Sequence, residues 1–341
     1  MPDKAIVIGI SHYPKLGRNG TEPNDLPGAV YDAGEMANWL ANRAGAEVTT
    51  ITSTGIDGRP WEVGTVRPGI SDVHDAFRPY ATATDRTGDR LYVYMAGHGF
   101  APDPRSRCLI LADAIASNPA WLPNFDAPSW IDWFAMQTQF DEFVLWMDCC
   151  GTQGLDYARG VPPVERKSTR ATAAKVFMAF ASANGRDAYE GPVDTTGIVR
   201  GYFTDRLLEG LNGGAANADT TIRSGSLARY LRNGGAESLA GDSERSPPRP
   251  APEVPHEHDM VFPSGNLPTY TIHVRDSAGR VPANGTVVTV SRPGEPYAQS
   301  ALVSSGTVGF ALPLGVFKLT GPGISRLFEI GAATPPQIDA P

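Results

Sequence analysis

Tyr92-Val93-Tyr94-Met95-Ala96-Gly97-His98-Gly99 and Val144-Leu145-Trp146-Met147-Asp148-Cys149-Cys150-Gly151 are the two stretches on which the reading of this 341-residue chain turns. Each is an apolar run of strand length that stops at a reactive side chain. The first delivers a histidine between two glycines, the second a pair of cysteines behind an acid. Short apolar runs bounded by turn residues read as buried strands of a parallel sheet. Open parallel sheets collect ligands and reacting groups at the carboxyl ends of their strands. A histidine at one such end and a cysteine at another can form a base–nucleophile pair.

Outward from these strands the alternation continues. Lys4–Ile10 reads as a central strand, Gly28–Arg43 as a helix with Val30, Ala33, Ala37 and Leu40 on one face, and Glu47–Thr52 as a second strand. Ser71 is placed to cap a helix over Asp72–Pro79. Cys108–Leu111 is a short strand, Ser129–Phe143 an aromatic-rich helix, Lys175–Ala181 a strand, and Arg200–Leu211 and Ser226–Arg232 are helices. Strands alternating with helices imply a mostly parallel sheet covered on both faces. Ser246-Pro247-Pro248-Arg249-Pro250-Ala251-Pro252 marks a Pro-rich loop or linker over 241–255, and Asp259–Phe262 is read as the last strand of the first domain, which spans 1–262. From there the pattern becomes all β. Tyr270–Val274, Thr286–Ser291, Ala301–Ser304, Thr307–Leu312 and Phe317–Thr320 follow at short spacing, as expected of a small β-sandwich over 263–341. The fold class expected is therefore α/β followed by a small all-β domain.

Composition narrows the function classes. The chain is 41% hydrophobic and 19% charged, which fits a globular protein with a sizeable core. A net charge of -8 argues against a broad nucleic-acid surface, and no run approaches membrane-spanning length. No signal-peptide pattern follows Met1. Cys108, Cys149 and Cys150 are an odd number with two adjacent, which is no disulfide framework. The expectation is a reduced, cytoplasmic protein with neither nucleic acid nor membrane as partner.

Gly97 and Gly99 let the backbone turn sharply and leave room for a peptide beside His98, whose imidazole exchanges protons near neutral pH. Side chains alternate along a strand, so Asp148 and Cys150 share one face and Cys149 points to the other. Cys150, nearest the open loop, is taken as the nucleophile and Cys149 as a packing residue. The backbone N–H groups of Gly99 and Cys150 are placed to cradle an oxyanion.

These segments resemble the caspase, metacaspase and paracaspase clan. The resemblance rests on the first strand Lys4–Ile10, Leu26-Pro27-Gly28-Ala29-Val30-Tyr31-Asp32-Ala33, Gly97-His98-Gly99, Asp148-Cys149-Cys150, Phe177-Met178-Ala179-Phe180-Ala181-Ser182 and Gly201-Tyr202-Phe203-Thr204, in that order. His98 and Cys150 stand 52 residues apart, the separation found in caspase-type proteases. Gly151-Thr152-Gln153-Gly154 departs from the His-Ser-Gly usual after a metacaspase cysteine, and Ala96 replaces a common Ser. The resemblance implies a cysteine endopeptidase. It places Asp32 and Asp148 where metacaspases hold the acids of their P1 pocket, so cleavage after Arg, or Lys, is expected. It also makes 151–174 an activation loop, with Arg159, Arg166, Lys167 and Arg170 as candidate autocleavage positions. No cofactor is expected, the alternative being calcium at Asp103, Asp113 and Asp156, whose spacing matches no tight calcium loop.

Stand-alone proteins of this type act in bacterial regulated death and antiviral defence. By that analogy the β domain senses an activating partner or a nucleotide signal. Two rival readings are a silent caspase-fold interaction protein and a small-molecule cysteine hydrolase. His256-Glu257-His258-Asp259 lacks a second ligand pair and reads as a solvated segment. His12, His74 and His273 show no chemical partner in the sequence, and Trp121, Trp130, Trp133 and Trp146 read as packing residues.

Overall fold

The computed structural model describes the whole chain apart from residues 18–19, 118–121, 154–156, 165–166, 193–196, 218–219, 234–252, 264–266, 268, 294–297, 314, 331–336 and 340–341. Arg166, Asp156 and Trp121, and most of the Pro-rich 241–255, lie outside the described residues.

In chain order the elements begin with β1 (Lys4–Gly9), α1 (Gly28–Asn42), β2 (Glu47–Thr52), β3 (Gly55–Ile56), β4 (Arg59–Pro60), α2 (Ile70–Thr82), β5 (Arg90–Ala96), β6 (Gly99–Phe100) and β7 (Cys108–Ile110). Next come β8 (Asn124–Asp126), α3 (Ala127–Ala135), β9 (Glu142–Asp148), β10 (Lys175–Phe180), β11 (Glu190–Pro192), β12 (Val199–Gly201), α4 (Tyr202–Glu209) and a π-helical turn over Gly210–Gly214. β13 (Ile222–Arg223), α5 (Ser224–Asn233), β14 (Glu253–Glu257) and β15 (Val261–Phe262) follow. The C-terminal strands are β16 (Thr269–His273), β17 (Val287–Ser291), β18 (Ala298–Leu302), β19 (Thr307–Ala311), β20 (Gly315–Gly321), β21 (Ile324–Ile330) and β22 (Gln337–Asp339).

The main sheet runs β14-β10-β9-β5-β1-β2-β3-β4, with β10, β9, β5, β1 and β2 mutually parallel. From β1 the chain first steps to β2, then returns to add β5 on the other side, so the order reverses between β1 and β5. Ligand crevices form outside the carboxyl ends of the strands at such a reversal. β5 and β9 are almost wholly buried, which explains their continuous apolar sequences. Alternation assigns their side chains to two layers. Leu91, Val93, Met95, Leu145, Met147 and Cys149 join Phe77 of α2 and Trp130 and Phe134 of α3 in one core cluster. On the other face Trp146 packs against Trp39 of α1 and Tyr92, and the Tyr94 hydroxyl meets Thr204 of α4.

Compactness divides the chain into one unit of Met1–Leu208 with Leu231–Met260 and another of Glu209–Tyr230 with Val261–Pro341. Glu209–Tyr230, read from the sequence as part of the first domain, groups with the C-terminal residues. In the second unit β19-β16-β22 and β18-β17-β20-β21 form two sheets that share one core, including Ile272, Val290, Phe310 and Phe317. β16, β17 and β19 bury alternate residues, the mark of a sandwich.

Several expected boundaries move. α2 starts at Ile70, so Ser71 lies inside it, and the Asp72 carboxylate accepts the Gly69 N–H at 2.7 Å in place of a Ser71 cap. α3 ends at Ala135 and Phe140 turns into the core ahead of β9, so the aromatic run is helix in its first half, irregular over 136–141, and strand only from Glu142. Residues 253–257, read as linker and solvated segment, add an antiparallel edge strand to β10, and His258 Nδ1 accepts the Val176 N–H at 3.0 Å. Val261–Phe262 pairs with β13 instead. β21 and β22 were not foreseen. His12 bonds Asp25 at 3.1 Å, and His74 packs on Trp130 and Phe125, so both have partners the sequence does not reveal.

Candidate active site

β1, β5 and β9 end side by side, and their extensions deliver the reactive groups. One cavity of about 120 Å³ is lined by His98, Cys150, Asp32, Asp148, Glu190 and Gly201. It therefore contains the residues read as dyad and as P1 pocket, together with Glu190, which the sequence reading missed.

His98 follows β5 through Gly97. A Cβ on Gly97 would stand 2.4 Å from the Tyr13 hydroxyl, which accepts the His98 N–H at 3.0 Å. Glycine is what lets the phenol reach the histidine backbone, and the two rings meet edge to face at 4.9 Å. His98 Nε2 lies 2.9 Å from the Asn24 carbonyl. A carbonyl only accepts, so Nε2 carries the proton and Nδ1 of the neutral ring is left with its lone pair. Burial holds the imidazole below its ordinary pKa, opposed by the Asn24 carbonyl and Asp25. Asn24 could not be found from sequence, because its contribution comes from the backbone.

Cys149 is 3% exposed and belongs to the core beneath α2 and α3; a Cβ on Gly99 would meet its Sγ at 2.8 Å. Cys150 is half-buried and opens onto the cavity. Its Sγ accepts the Ala188 N–H at 3.3 Å and contacts the Ala188 carbonyl at 3.7 Å. Burial raises the Cys150 thiol pKa, the Ala188 N–H lowers it, and Asp187 and Asp148 raise it. The covering segment is zipped to Gly151, which donates to Arg186 O at 2.8 Å and accepts from Gly185 N at 2.7 Å. Gly99 faces Leu109 in a non-hydrogen-bonded pair, next to the Ile110 N–H bond to His98 O, so its own N–H turns away from β7.

Asp32 on α1 and Asp148 at the end of β9 converge on β12. Asp32 Oδ2 accepts the Gly201 N–H at 2.7 Å. Asp148 Oδ2 accepts the Thr204 N–H at 3.1 Å and the Thr204 hydroxyl at 2.6 Å, so it caps the first turn of α4. A Cβ on Gly201 would lie 2.0 Å from Asp148 Oδ2 and 3.0 Å from Asp32 Oδ2, which explains the glycine. Burial and the Asp148 charge push Asp32 up to about 8; burial pushes Asp148 up to about 6 against its Thr204 bonds. Glu190 Oε2 accepts the Gly28 N–H at the start of α1 at 3.1 Å.

The loop after Cys150 is strapped to α3 and its surroundings. Trp130 and Trp133 donate to the Gly160 and Val164 carbonyls at 3.0 and 2.7 Å. Arg159 donates to Ser106 Oγ at 2.7 Å and to Asp103 at 3.1 Å. Arg170 bonds Asp141 at 2.7 Å and the Phe140 carbonyl at 2.6 Å, while Lys167 is exposed. No group of three or more metal-ligating side chains occurs among the described residues. Asp103 is committed to Arg159, Ser106 and the Arg105 N–H, and burial raises the Asp113 pKa. No helix among the described residues is long and apolar enough to cross a membrane.

The family model for the caspase domain of the C14 peptidases matches residues 2–230. The chain belongs to the caspase family. Among solved structures, caspase-1 from Spodoptera frugiperda superposes with a TM-score of 0.50 at 13% identity, covering 76% of this caspase-family chain and 90% of that one. That likeness shows the fold. A protein from Geobacter sulfurreducens gives 0.47 at 16% identity over 78% of this chain and 94% of its own. The pro-form of the Spodoptera caspase gives 0.46 at 13% over 77% and 91%. No curated protein sequence matches the chain.

Proposed function

We propose that this caspase-family chain is a cysteine endopeptidase that cleaves after basic residues, Arg in preference to Lys. The observation that carries the reading is the shared cavity: Asp32, Asp148 and Glu190 line it beside His98 and Cys150, and Asp32 Oδ1 accepts no hydrogen bond among the described residues. Crowded, half-dry carboxylates bind a cation and reject an anion, and the planar guanidinium matches them better than an ammonium.

In this reading His98 Nδ1 takes the Cys150 thiol proton as Sγ attacks the scissile carbonyl. The Gly99 and Cys150 N–H groups hold the oxyanion. His98 then protonates the departing amine, leaving a thioester that water hydrolyses with His98 as base. Because burial lowers the imidazole and raises the thiol, the resting pair is neutral. The Ala188 backbone on Cys150 Sγ supports a regulated enzyme whose 182–190 segment shifts before acylation. The C-terminal β domain is proposed as the receiver of an activating partner or nucleotide signal, in a bacterial death or antiviral role. Among the described cations of the activation loop Arg159 and Lys167 are exposed, and since Arg159 is held by Asp103 and Ser106, Lys167 is the favoured autocleavage position. Fluorogenic peptides differing only in P1 test the specificity: Arg is expected to exceed Lys, with Asp inert. Preferred cleavage after Asp overturns it.

The silent-scaffold reading has one observation in its favour, that His98 and Cys150 bond Asn24 and Ala188 and not each other. Labelling of Cys150 by an arginyl electrophile decides against it.

A further inference from the structure

Arg200 immediately precedes Gly201 on β12, with a side chain that is 17% exposed. Its Nη1 donates to Asp205 Oδ1 of α4 at 3.0 Å, and its guanidinium lies 5.4 Å from the Tyr31 ring of α1. These contacts hold it to one side of Asp32. Nε stands 3.7 Å from Asp32 Oδ1 and Nη2 3.8 Å from Glu35 Oε2, both beyond hydrogen-bond reach. Asp32 Oδ1 and Arg200 Nε are buried atoms with no hydrogen bond among the described residues, so an acceptor and a donor face each other as a loose ion pair without a hydrogen bond.

We propose that Arg200 sets the specificity of the acid pocket as a resident cation, tethered by Asp205 just short of Asp32, so that Asp32 meets an incoming guanidinium as a carboxylate. This rests on the basic-P1 reading of the cavity. The groups facing Asp32 are Asp148 of β9, Glu190 of β11, the Tyr94 phenol of β5 and Arg200 of β12; Arg200 in turn faces Glu35 and Asp205. With all three acids ionised Arg200 offsets one charge, and the pocket stays net negative toward an incoming guanidinium. Without Arg200, burial and Asp148 act on Asp32 with no resident cation opposing them. Asp32 would then stay protonated, and indifferent to a cation, up to higher pH.

The test is agmatine binding to the full-length protein, followed by calorimetry from pH 6 to 9.5, for wild type, Arg200→Gln and Arg200→Lys. Wild-type affinity is expected to rise with pH as Asp32 ionises, because the carboxylate and not the acid attracts the guanidinium. In Arg200→Gln the rise moves up by about one pH unit, making binding about tenfold weaker near neutrality. At pH 9.5 its affinity equals or exceeds wild type, since a repelling charge is gone. Arg200→Lys keeps the wild-type profile. A Gln variant with an unmoved profile, or one uniformly weaker at every pH, overturns the inference while leaving the basic pocket standing. Failure of wild type to bind agmatine at any pH overturns the pocket reading and this inference with it.

Discussion

On the thiol side of the cavity the chain supplies its own partners. Cys150 Sγ takes the Ala188 N–H, His98 Nε2 gives its proton to Asn24, and the Tyr13 phenol holds the His98 backbone. On the acid side Asp32 Oδ1 and Arg200 Nε stand 3.7 Å apart as a loose ion pair without a hydrogen bond, and burial and the Asp148 charge raise Asp32. In the proposed reading the side that does the chemistry is covered and positioned, and the side that recognises substrate is left to receive a cation. Recognition groups that are underpaired gain most from the correct ligand, whereas a covered nucleophile keeps idle reactivity low.

The largest effect expected tests the covered half. If the chain is the proposed peptidase, Cys150→Ala should lower turnover of an arginyl peptide by about 10⁶-fold, as loss of the nucleophile does in a serine protease. Cys149→Ala, one residue away in the core, should keep kcat within a few-fold. Equal losses from both would break the contrast between them. Next comes the acid half. Asp148→Asn should raise KM for arginyl peptides by about 10²-fold, the effect of removing one partner of a buried charge pair, with a smaller change in kcat. A kcat loss alone would move Asp148 from recognition to positioning of the neighbouring cysteine.

The smallest effect concerns stability. The folded-state pKa of Asp32 lies above its unfolded value, so the folded protein holds that proton more tightly. Its stabilising contribution is present at acid pH and is lost as pH rises through about 8. Asp32→Asn should therefore raise Tm at pH 8 by about 2–4 °C, the shift that roughly 1 kcal/mol produces in a domain of this size. The gain should vanish near pH 4, as differential scanning calorimetry would show. A gap independent of pH would place the effect in packing.

Much of this was legible before the structure. The apolar runs at Lys4, Arg90, Glu142 and Lys175 became the central strands because a sheet buried on both faces demands unbroken hydrophobicity. Strand alternation set Cys149 apart from Cys150, and the structure buries Cys149 in the core and leaves Cys150 half-buried, with both reaching the cavity lining. The misses share a cause. Asn24 and Ala188 act through backbone atoms, Glu190 and Arg200 lie on short strands with no periodicity, and the 253–257 strand carries linker-like composition.

The sequence alone determined the strand order of chemistry: which residue types stand at the ends of which apolar runs, and hence the family. Periodicity and strand ends are local properties, encoded within a few residues. Only the tertiary structure decided what those ends face. Asp32 is brought to Asp148, Glu190 and Arg200 by the reversal of strand order at β1 and β5 and by the absence of a side chain at Gly201. Distances and charge states inside a cavity depend on segments far apart in the chain, and burial acts on the assembled group as a whole.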